Sequence, residues 1–257
     1  MPDSHINRIR RIIQHALRDT SVHAEFERFG AAVDGGKMLR GRLVLDVGSA
    51  ARTAAAALDR LGAAVELLHG ASLLHDDVVD GGTRRRHEPA VWVSEGAKAA
   101  VLLGDLMMAA ALGLVREAGA QHLDLMTRTL KEMCDAEAEQ EFSRHAHLGS
   151  WDDCVRIARR KTGSLFGFAA ACAAGDNTAL AEALNAAGRD LGTAYQLADD
   201  MLDAATGPAP TDKSLGTDAA SGKLTAVRAS ALAGIDPART IADLLANALN
   251  ALTATPP

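Results

Sequence analysis

Long segments with helical spacing dominate this 257-residue sequence. Between Arg60 and Asp80, apolar residues recur mostly at steps of three and four, which places them on one face of an α-helix. The same spacing covers residues 99–118, 125–143, 153–174 and 179–204. No segment sustains period-two alternation, and three of the seven prolines lie at the chain ends, so helix breakers are rare in the interior. We therefore expect an all-α fold, a single helical bundle of roughly ten helices.

The charge and cysteine content argue against several classes of protein. The formal net charge of −6 argues against nonspecific nucleic-acid binding. Three widely spaced cysteines without a CxxC pair indicate buried thiols in a reducing compartment, so we expect a cytoplasmic protein. The first residues lack the apolar core of a secretory signal. The longest apolar stretch, Ala99–Val115, carries Asp105, which favours a buried core helix over a membrane span.

Two clusters with the pattern DDxxD interrupt otherwise apolar helical segments. They are formed by Asp76, Asp77 and Asp80 and by Asp199, Asp200 and Asp203. Aspartates four residues apart lie on one face of a helix and repel each other, so a cation is expected between them. Carboxylates without a His or Cys cluster suit Mg²⁺, which keeps positions open for water and phosphate oxygens. We therefore predict that the clusters hold a diphosphate through Mg²⁺; the alternative is a pair of solvated helix faces.

Several basic residues fit an anion next to such a metal site. His69 shares a helix face with the first cluster, although a single His on an apolar helix is also common in a core. Gly35 and Gly36 let the backbone approach an anion, and Lys37 and Arg40 follow them. This stretch is not a P-loop, because Met38 stands where Ser or Thr is needed. The run Arg84–Arg86 is either a solvated basic loop or, beside a metal–diphosphate site, an anion clamp.

These motifs occur in a specific order between about Gly35 and Thr225. The order is GGKxxR at 35–40, ELLHGASLLHDDVVD at 66–80, RR at 85–86 with Pro89, ExxQ at 137–140, KT at 161–162, YQLADD at 195–200, and Lys213, Gly216, Asp218, Gly222, Lys223 and Thr225. In this order they resemble the trans-polyprenyl diphosphate synthase, or polyprenyl synthetase, family. The resemblance implies one helical domain over residues 1–257, of the isoprenoid synthase type.

The resemblance also implies a reaction and a role for each matching residue. The reaction is a Mg²⁺-dependent prenyl transfer from an allylic diphosphate to isopentenyl diphosphate, with about three Mg²⁺ ions per active site. The expected metal ligands are Asp76, Asp80 and Asp199, with Asp77, Asp200 and Asp203 in supporting roles. The residues expected to hold the allylic diphosphate are Arg85, Lys161, Thr162, Gln196 and Lys213, and Lys161 is also expected to act in catalysis. The residues expected to hold isopentenyl diphosphate are Lys37, Arg40, His69 and Arg86.

The resemblance also gives expectations about product length, assembly and the C-terminal end of the bundle. In the family, a bulky side chain four or five residues before the first aspartate blocks the growing product. Ala71 and Ser72 stand there and are small, which predicts products longer than about fifteen carbons. A homodimer is expected, and about thirty residues after Thr225 predict a bundle shortened at its C-terminus. Two alternatives remain: a noncatalytic or regulatory subunit of a heteromeric synthase, or a prenyltransferase or terpene cyclase with another acceptor.

Overall fold

The computed structural model describes residues 2–28, 36–85, 88–142, 149–205 and 224–253. Its chain groups into two compact units, and the boundary between their described parts falls at Leu123 and Asp124. Almost all regular structure is helical, so the predicted all-α fold is confirmed. The single domain predicted for residues 1–257 stays a prediction.

The first unit contains the helices before the boundary and one short hairpin. The helices are α1 (Pro2–Arg18), α2 (His23–Arg28), α3 (Leu39–Ala50), α4 (Ala55–Asp80), α5 (Val91–Glu95) and α6 (Ala97–Ala118), and α7 (Ala120–Phe142) contains the boundary. The hairpin pairs β1 (Arg84–Arg85) antiparallel with β2 (Glu88–Pro89). The sequence did not predict this hairpin, because two-residue strands carry no periodicity.

Helix α4 is the centre of the first unit, where it packs against α1, α3 and α6. Its apolar positions Leu61, Val65 and Leu68 are at most 1% exposed. A β-carbon at Gly104 of α6 would lie 2.3 Å from Nε2 of His75, so the absence of a side chain there lets the two helices approach closely. These contacts fix the end of α4, which carries the first aspartate cluster.

The second unit consists of the remaining helices. They are α8 (Trp151–Ala158), a π-helical turn (Arg159–Gly163), α9 (Ser164–Ala171), a 3₁₀ turn (Cys172–Ala174), α10 (Thr178–Ala205), α11 (Ala226–Ala233) and α12 (Pro237–Thr253). The segment predicted as one helix over 153–174 is therefore helical, but it is not uniformly α-helical.

Helices α9 and α10 approach each other through glycines on both sides. A β-carbon at Gly188 would lie 2.6 Å from the carbonyl oxygen of Phe166, and one at Gly192 would lie 2.8 Å from Cα of Gly163. Larger residues at these positions would force the backbones apart. This close packing sets the π-helical turn directly against α10.

Helix α6 is the one described helix that is long and apolar enough to cross a membrane by length and composition. About a third of its most apolar window is buried in the structure. The helix packs against α4, but most of this window is not buried, and its exposed residues include Leu102 and Asp105. The absence of a membrane span stays a prediction.

Candidate functional site

The first aspartate cluster forms the last turn of α4, and its middle residue, Asp77, forms a buried ion pair with Arg85. Asp77 is only 5% exposed. The Nε atom of Arg85 donates to its two carboxylate oxygens at 3.0 and 2.8 Å, and Nη2 donates to Oδ1 at 2.6 Å. Burial alone would lower the pKa of Arg85, but the hydrogen bond and charge of Asp77, followed by the charges of Asp76 and Asp80, raise it. Arg85 is therefore a firmly charged group beside the cluster.

The loop after α4 is built to return Arg85 to the helix end. Gly81 ends α4 in the left-handed conformation, with φ of +66°. The indole nitrogen of Trp92 donates to the carbonyl of Gly82 at 2.6 Å. The amide of Ala90 donates to the carbonyl of Thr83 at 3.0 Å. A β-carbon at Gly82 would approach Oδ1 of Asp77 to 3.3 Å. Gly81 thus allows the chain to turn back tightly at the helix end, and Gly82 allows the backbone to pass close to Asp77.

Asp76, Asp80 and His69 are all partly buried on α4, as their spacing predicts for one face of the helix. Ser72 is also partly buried, and its hydroxyl donates to the carbonyl of His69 at 2.8 Å. Ala71 is fully buried. Of the two residues expected to limit product length, Ser72 is thus the more accessible.

The predicted anion loop at 35–40 is partly described. Lys37 is exposed, whereas Arg40 is 8% exposed. Met38 adopts a left-handed φ of 49° before α3 begins, an uncommon conformation for a residue other than glycine. The amide of Gly41 donates to Oε1 of Glu66 at 2.7 Å, which ties this helix start to α4. The residues of the predicted motifs that lie outside the described residues are Gly35, Arg86, Lys213, Gly216, Asp218, Gly222 and Lys223.

In the second unit, Lys161 and Thr162 lie in the π-helical turn and each has a partner on a neighbouring helix. Lys161 forms an ion pair with Glu137 of α7. The hydroxyl of Thr162 donates to Oε1 of Gln196 at 2.7 Å. The Nε2 atom of Gln196 donates in turn to Oδ1 of Asp200 at 2.8 Å. The structure therefore brings three predicted residues, Thr162, Gln196 and Asp200, into one hydrogen-bonded chain.

The middle residue of the second cluster is also locked. Besides Gln196, Asp200 accepts a hydrogen bond of 2.9 Å from the amide of Ala226, the first residue of α11. A carboxylate at this position is favourable because helix N-termini carry unpaired amides and a partial positive charge. Asp199 is partly buried and Asp203 is exposed. The two clusters thus share one arrangement. In each, the middle aspartate binds a residue of a later element, Arg85 of β1 for Asp77 and Ala226 of α11 for Asp200.

This arrangement explains why, within the described residues, no three His, Cys, Asp or Glu side chains form a ready group of metal ligands. Asp77 is committed to Arg85, and Asp200 to Gln196 and Ala226. The two outer carboxylates of each cluster are one helical turn apart. Mg²⁺ is typically bound by one or two carboxylates, with waters and substrate phosphates completing its shell. The donor set fits Mg²⁺ bound together with a phosphorylated ligand.

Sequence reasoning named Glu137 in the ExxQ motif but gave no role to it or to the acidic residues around it. Helix α7 carries three acidic residues that pair with the π-helical turn. Asp135 and Glu139 both form ion pairs with Arg160. Glu137, between them, forms an ion pair with Lys161. Glu139 also binds Arg156, whose Nη1 donates to Oε2 at 2.9 Å. The signal was present, because acidic residues alternate along 135–141 and basic residues concentrate at 156–161. Their pairing became visible only when the structure placed the two segments together.

Comparison with known proteins identifies the family. A sequence model described as polyprenyl synthetase matches residues 27–253, which is most of the chain. The chain belongs to the polyprenyl synthetase family. It is 34% identical over 239 residues to geranylgeranyl diphosphate synthase from Mycobacterium tuberculosis, covering 89% of this chain and 68% of that protein. It is 33% identical to the chloroplastic solanesyl-diphosphate synthase 2 of Oryza sativa, covering 80% of this chain but only 53% of the relative.

A solved polyprenyl synthetase structure agrees with this assignment. The polyprenyl synthase from Caulobacter crescentus CB15, complexed with calcium and isoprenyl diphosphate, superposes with a TM-score of 0.83 at 29% identity. The match covers 97% of this chain and 82% of that one. The predicted family, its isoprenoid synthase fold and its enzyme class, prenyl diphosphate synthase, are confirmed by these relatives.

Proposed function

We propose that this protein joins isopentenyl diphosphate to an allylic diphosphate and releases a prenyl diphosphate that is five carbons longer. The observation that carries the proposal is that basic side chains are held by carboxylates beside the polar groups of each aspartate cluster. Arg85 is paired with Asp77 of the first cluster. Lys161 is paired with Glu137, and the next residue, Thr162, is linked through Gln196 to Asp200 of the second cluster. Cations beside outer carboxylates that suit a hard metal ion form the chemistry that binds a diphosphate. The calcium and isoprenyl diphosphate bound by the Caulobacter relative support this proposal.

In the proposed reaction, the bond between the allylic carbon and its diphosphate breaks, and negative charge builds up on the leaving group. Arg85, Lys161 and Thr162 bind that diphosphate and stabilise the charge, an electrostatic effect that is usually the largest in catalysis. Lys37, Arg40 and His69 hold isopentenyl diphosphate, whose double bond attacks the allylic carbon. A proton is then lost to the released diphosphate, and a new double bond forms.

We further propose Mg²⁺ as the cofactor, held by Asp76, Asp80 and Asp199. When bound, it supplies positive charge that neutralises the diphosphate. The chain's own carboxylates provide only oxygen ligands, which favours Mg²⁺ over zinc or copper. Titration with Mn²⁺ in the presence of inorganic diphosphate would count the ions against the expected three. Asp76→Asn should weaken Mn²⁺ binding, and unchanged binding would remove this residue from the ligand set.

The first experiment is a product assay with purified protein, Mg²⁺ and labelled isopentenyl diphosphate. Allylic primers of five, ten, fifteen and twenty carbons are supplied separately, and products are sized by chromatography after the diphosphate has been removed. A defined, longer product supports the proposal. No incorporation by folded protein with any primer contradicts it and favours a noncatalytic subunit. Cyclised hydrocarbon made from the primer alone favours a terpene cyclase.

The product is proposed to be longer than fifteen carbons because Ala71 and Ser72 are small. Ala71→Phe and Ser72→Phe should each shorten the product if the growing chain passes these positions. Ala71 is fully buried, so overpacking at this site costs about 1–3 kcal/mol, and the melting temperature must be checked. Ala55→Phe, an exposed position at the other end of α4, is the matched control. An unchanged product from both folded variants would exclude these positions as the limit.

The assembly and location of the protein are proposed on the same family basis. A homodimer would give twice the chain mass of 26.8 kDa by light scattering. A cytoplasmic location predicts recovery in the soluble fraction after cell lysis, without detergent. Recovery in the membrane fraction would instead favour membrane association of the apolar helix α6.

A further inference from the structure

The π-helical turn that carries Lys161 and Thr162 is held from two sides by its own side chains. Arg159 forms an ion pair with Asp190 of α10. Arg160 forms ion pairs with Asp135 and Glu139 of α7. Neither arginine has a role in the proposed reaction. Both nevertheless lie directly before the two residues that are expected to bind the allylic diphosphate.

A π-helical turn needs such support because it is less favourable than α-helix and is usually found where function requires it. A side-chain hydrogen bond to the backbone provides part of the support, because the hydroxyl of the fully buried Ser164 donates to the carbonyl of Arg160 at 2.6 Å. Close packing provides more, since a β-carbon at Gly163 would lie 2.8 Å from the carbonyl of Arg189. The ion pairs of the two arginines complete the set.

The direction of Lys161 depends on this turn. Each residue of an α-helix rotates the next side chain by about 100°, so one residue more or fewer in the turn redirects every side chain after it. In the present turn, Lys161 reaches Glu137 of α7 and Thr162 reaches Gln196 of α10. Return to a regular α-helix would take these side chains away from both partners.

Arg160 is the better placed of the two arginines to fix this geometry. Asp135 and Glu139 are four residues apart on α7, so they lie one above the other on the same face. A guanidinium that binds both carboxylates is restrained in two directions, and the side chain of Arg160 is only 21% exposed. Of its two ion pairs, the one with Glu139 is the better shielded from solvent and salt, because the side chain of Glu139 is 29% exposed and that of Asp135 is 68% exposed.

We propose that Arg160 is a positioning residue, which holds the π-helical turn so that Lys161 and Thr162 meet the allylic diphosphate. The inference rests on the proposed function, because it concerns the same substrate group. Arg160 acts through the turn, and its guanidinium stays on α7. Its loss should therefore weaken binding of the allylic diphosphate and leave binding of isopentenyl diphosphate, assigned to Lys37, Arg40 and His69, nearly unchanged.

The test compares Arg160→Met with Arg160→Lys and with a matched control, Arg156→Met. Arg156 shares the partner Glu139 and also binds Asp153 at 3.0 Å, but it lies in α8, before the π-helical turn. In Arg160→Met, KM for the allylic diphosphate should rise about tenfold or more, as expected for a misplaced binding group. KM for isopentenyl diphosphate should stay within about twofold. Arg160→Lys should recover part of the loss, and Arg156→Met should resemble the wild type.

A second measurement does not depend on turnover. Calorimetric titration with inorganic diphosphate and Mg²⁺ should show weaker binding to Arg160→Met than to Arg156→Met or the wild type. If Arg160→Met does not fold, as judged by circular dichroism, Asp135→Asn removes one side of the same clamp with a smaller change in volume. Weaker diphosphate binding by Asp135→Asn then supports the proposal, and unchanged binding overturns it.

The outcomes separate this inference from the proposed function. Three results would each overturn the positioning role. Arg160→Met could raise the KM values for both substrates equally, or Arg156→Met could raise KM for the allylic diphosphate as much as Arg160→Met does. Folded Arg160→Met could also bind diphosphate with unchanged affinity. A wild-type protein that binds diphosphate but makes no product would contradict the proposed function alone. In that case the calorimetric comparison of the same variants still decides the role of Arg160.

Discussion

At the scale of single residues, the pair formed by Asp77 and Arg85 shows how one charge can serve both fold and site. The carboxylate is 5% exposed and receives both N–H groups on one edge of the guanidinium. A guanidinium has five N–H groups, so pairing with Asp77 leaves N–H donors at the other edge that can bind a second anion. A buried carboxylate thus fixes the side chain that is proposed to bind the substrate.

Arg85→Met should destabilise the protein, because it leaves the buried charge of Asp77 without its partner. Loss of one member of a buried ion pair costs about 3–5 kcal/mol. Arg84→Met, at the exposed neighbouring position, should change the free energy of unfolding by less than about 0.5 kcal/mol. Urea denaturation monitored by circular dichroism measures both values. Equal effects of the two substitutions would show that the pair contributes nothing specific to stability.

The cysteines provide a test of burial at the same scale. Cys134 is exposed, whereas Cys154 and Cys172 are buried. Burial, followed by the charge of Asp200, raises the pKa of Cys154 to about 12, and burial raises the pKa of Cys172. Burial, followed by the charge of Glu137, also raises the pKa of Cys134, so its exposure is what distinguishes it. Ellman's reagent at pH 8 should therefore find one accessible thiol in the native protein, and Cys134→Ser should remove it. Reaction of two thiols at the same rate would contradict this placement.

At the scale of elements, the close contact between α9 and α10 depends on residues without side chains. A β-carbon at Gly188 would lie 2.6 Å from a backbone oxygen, which cannot move aside as a flexible side chain can. Gly188→Ala should therefore cost about 1–3 kcal/mol, although alanine favours helix. Gly113→Ala in α6, where a β-carbon meets nothing within 4 Å, should instead stabilise by about 0.5–1 kcal/mol. Thermal unfolding of both variants checks the opposite signs.

The sequence was sufficient to predict helices but not their local irregularities. Residues 60–80 and 179–204 were predicted as helices, and the structure has Ala55–Asp80 and Thr178–Ala205, because a long apolar period is a strong signal. The π-helical turn at Arg159–Gly163 was missed. Its side chains contact α7 and α10, and such tertiary contacts, which commonly override propensity, leave no local sequence pattern.

At the scale of the whole molecule, the same limit applies to the candidate site. Aspartates and basic residues could be identified from spacing, and their family roles stay predictions. That Asp77 binds Arg85, or that Asp200 receives the first amide of α11, depends on which element returns to which helix end. The second pairing joins residues 26 positions apart. The first spans only eight positions, but it requires the loop after α4 to return Arg85 to the helix end. The residues of a site are therefore easier to predict than its connections.

The acid sensitivity of the protein follows from these connections. Hydrogen bonds from Arg156, followed by those from Arg160, lower the pKa of Glu139 below its usual value of 4.5. The pKa of Asp153 is also lowered, by hydrogen bonds from Ser150 and Arg156. A carboxylate whose pKa is lower in the folded state stabilises the fold above its unfolded pKa, and this stabilisation is lost as the pH falls through the folded pKa. The contribution is therefore complete at pH 7 and disappears in acid.

Glu139→Gln tests this dependence across the whole molecule. The free energy of unfolding, measured by urea denaturation between pH 7 and pH 3, should be lower in the variant than in the wild type at neutral pH. The difference should shrink as the pH falls below 4.5, because the wild-type carboxylate then takes up a proton and loses its ion pairs with Arg156 and Arg160. Glu182→Gln, which removes one exposed negative charge elsewhere, should show a small difference that hardly changes with pH. A difference for Glu139→Gln that is the same at every pH would mean that packing, and not charge, accounts for the contribution of this residue.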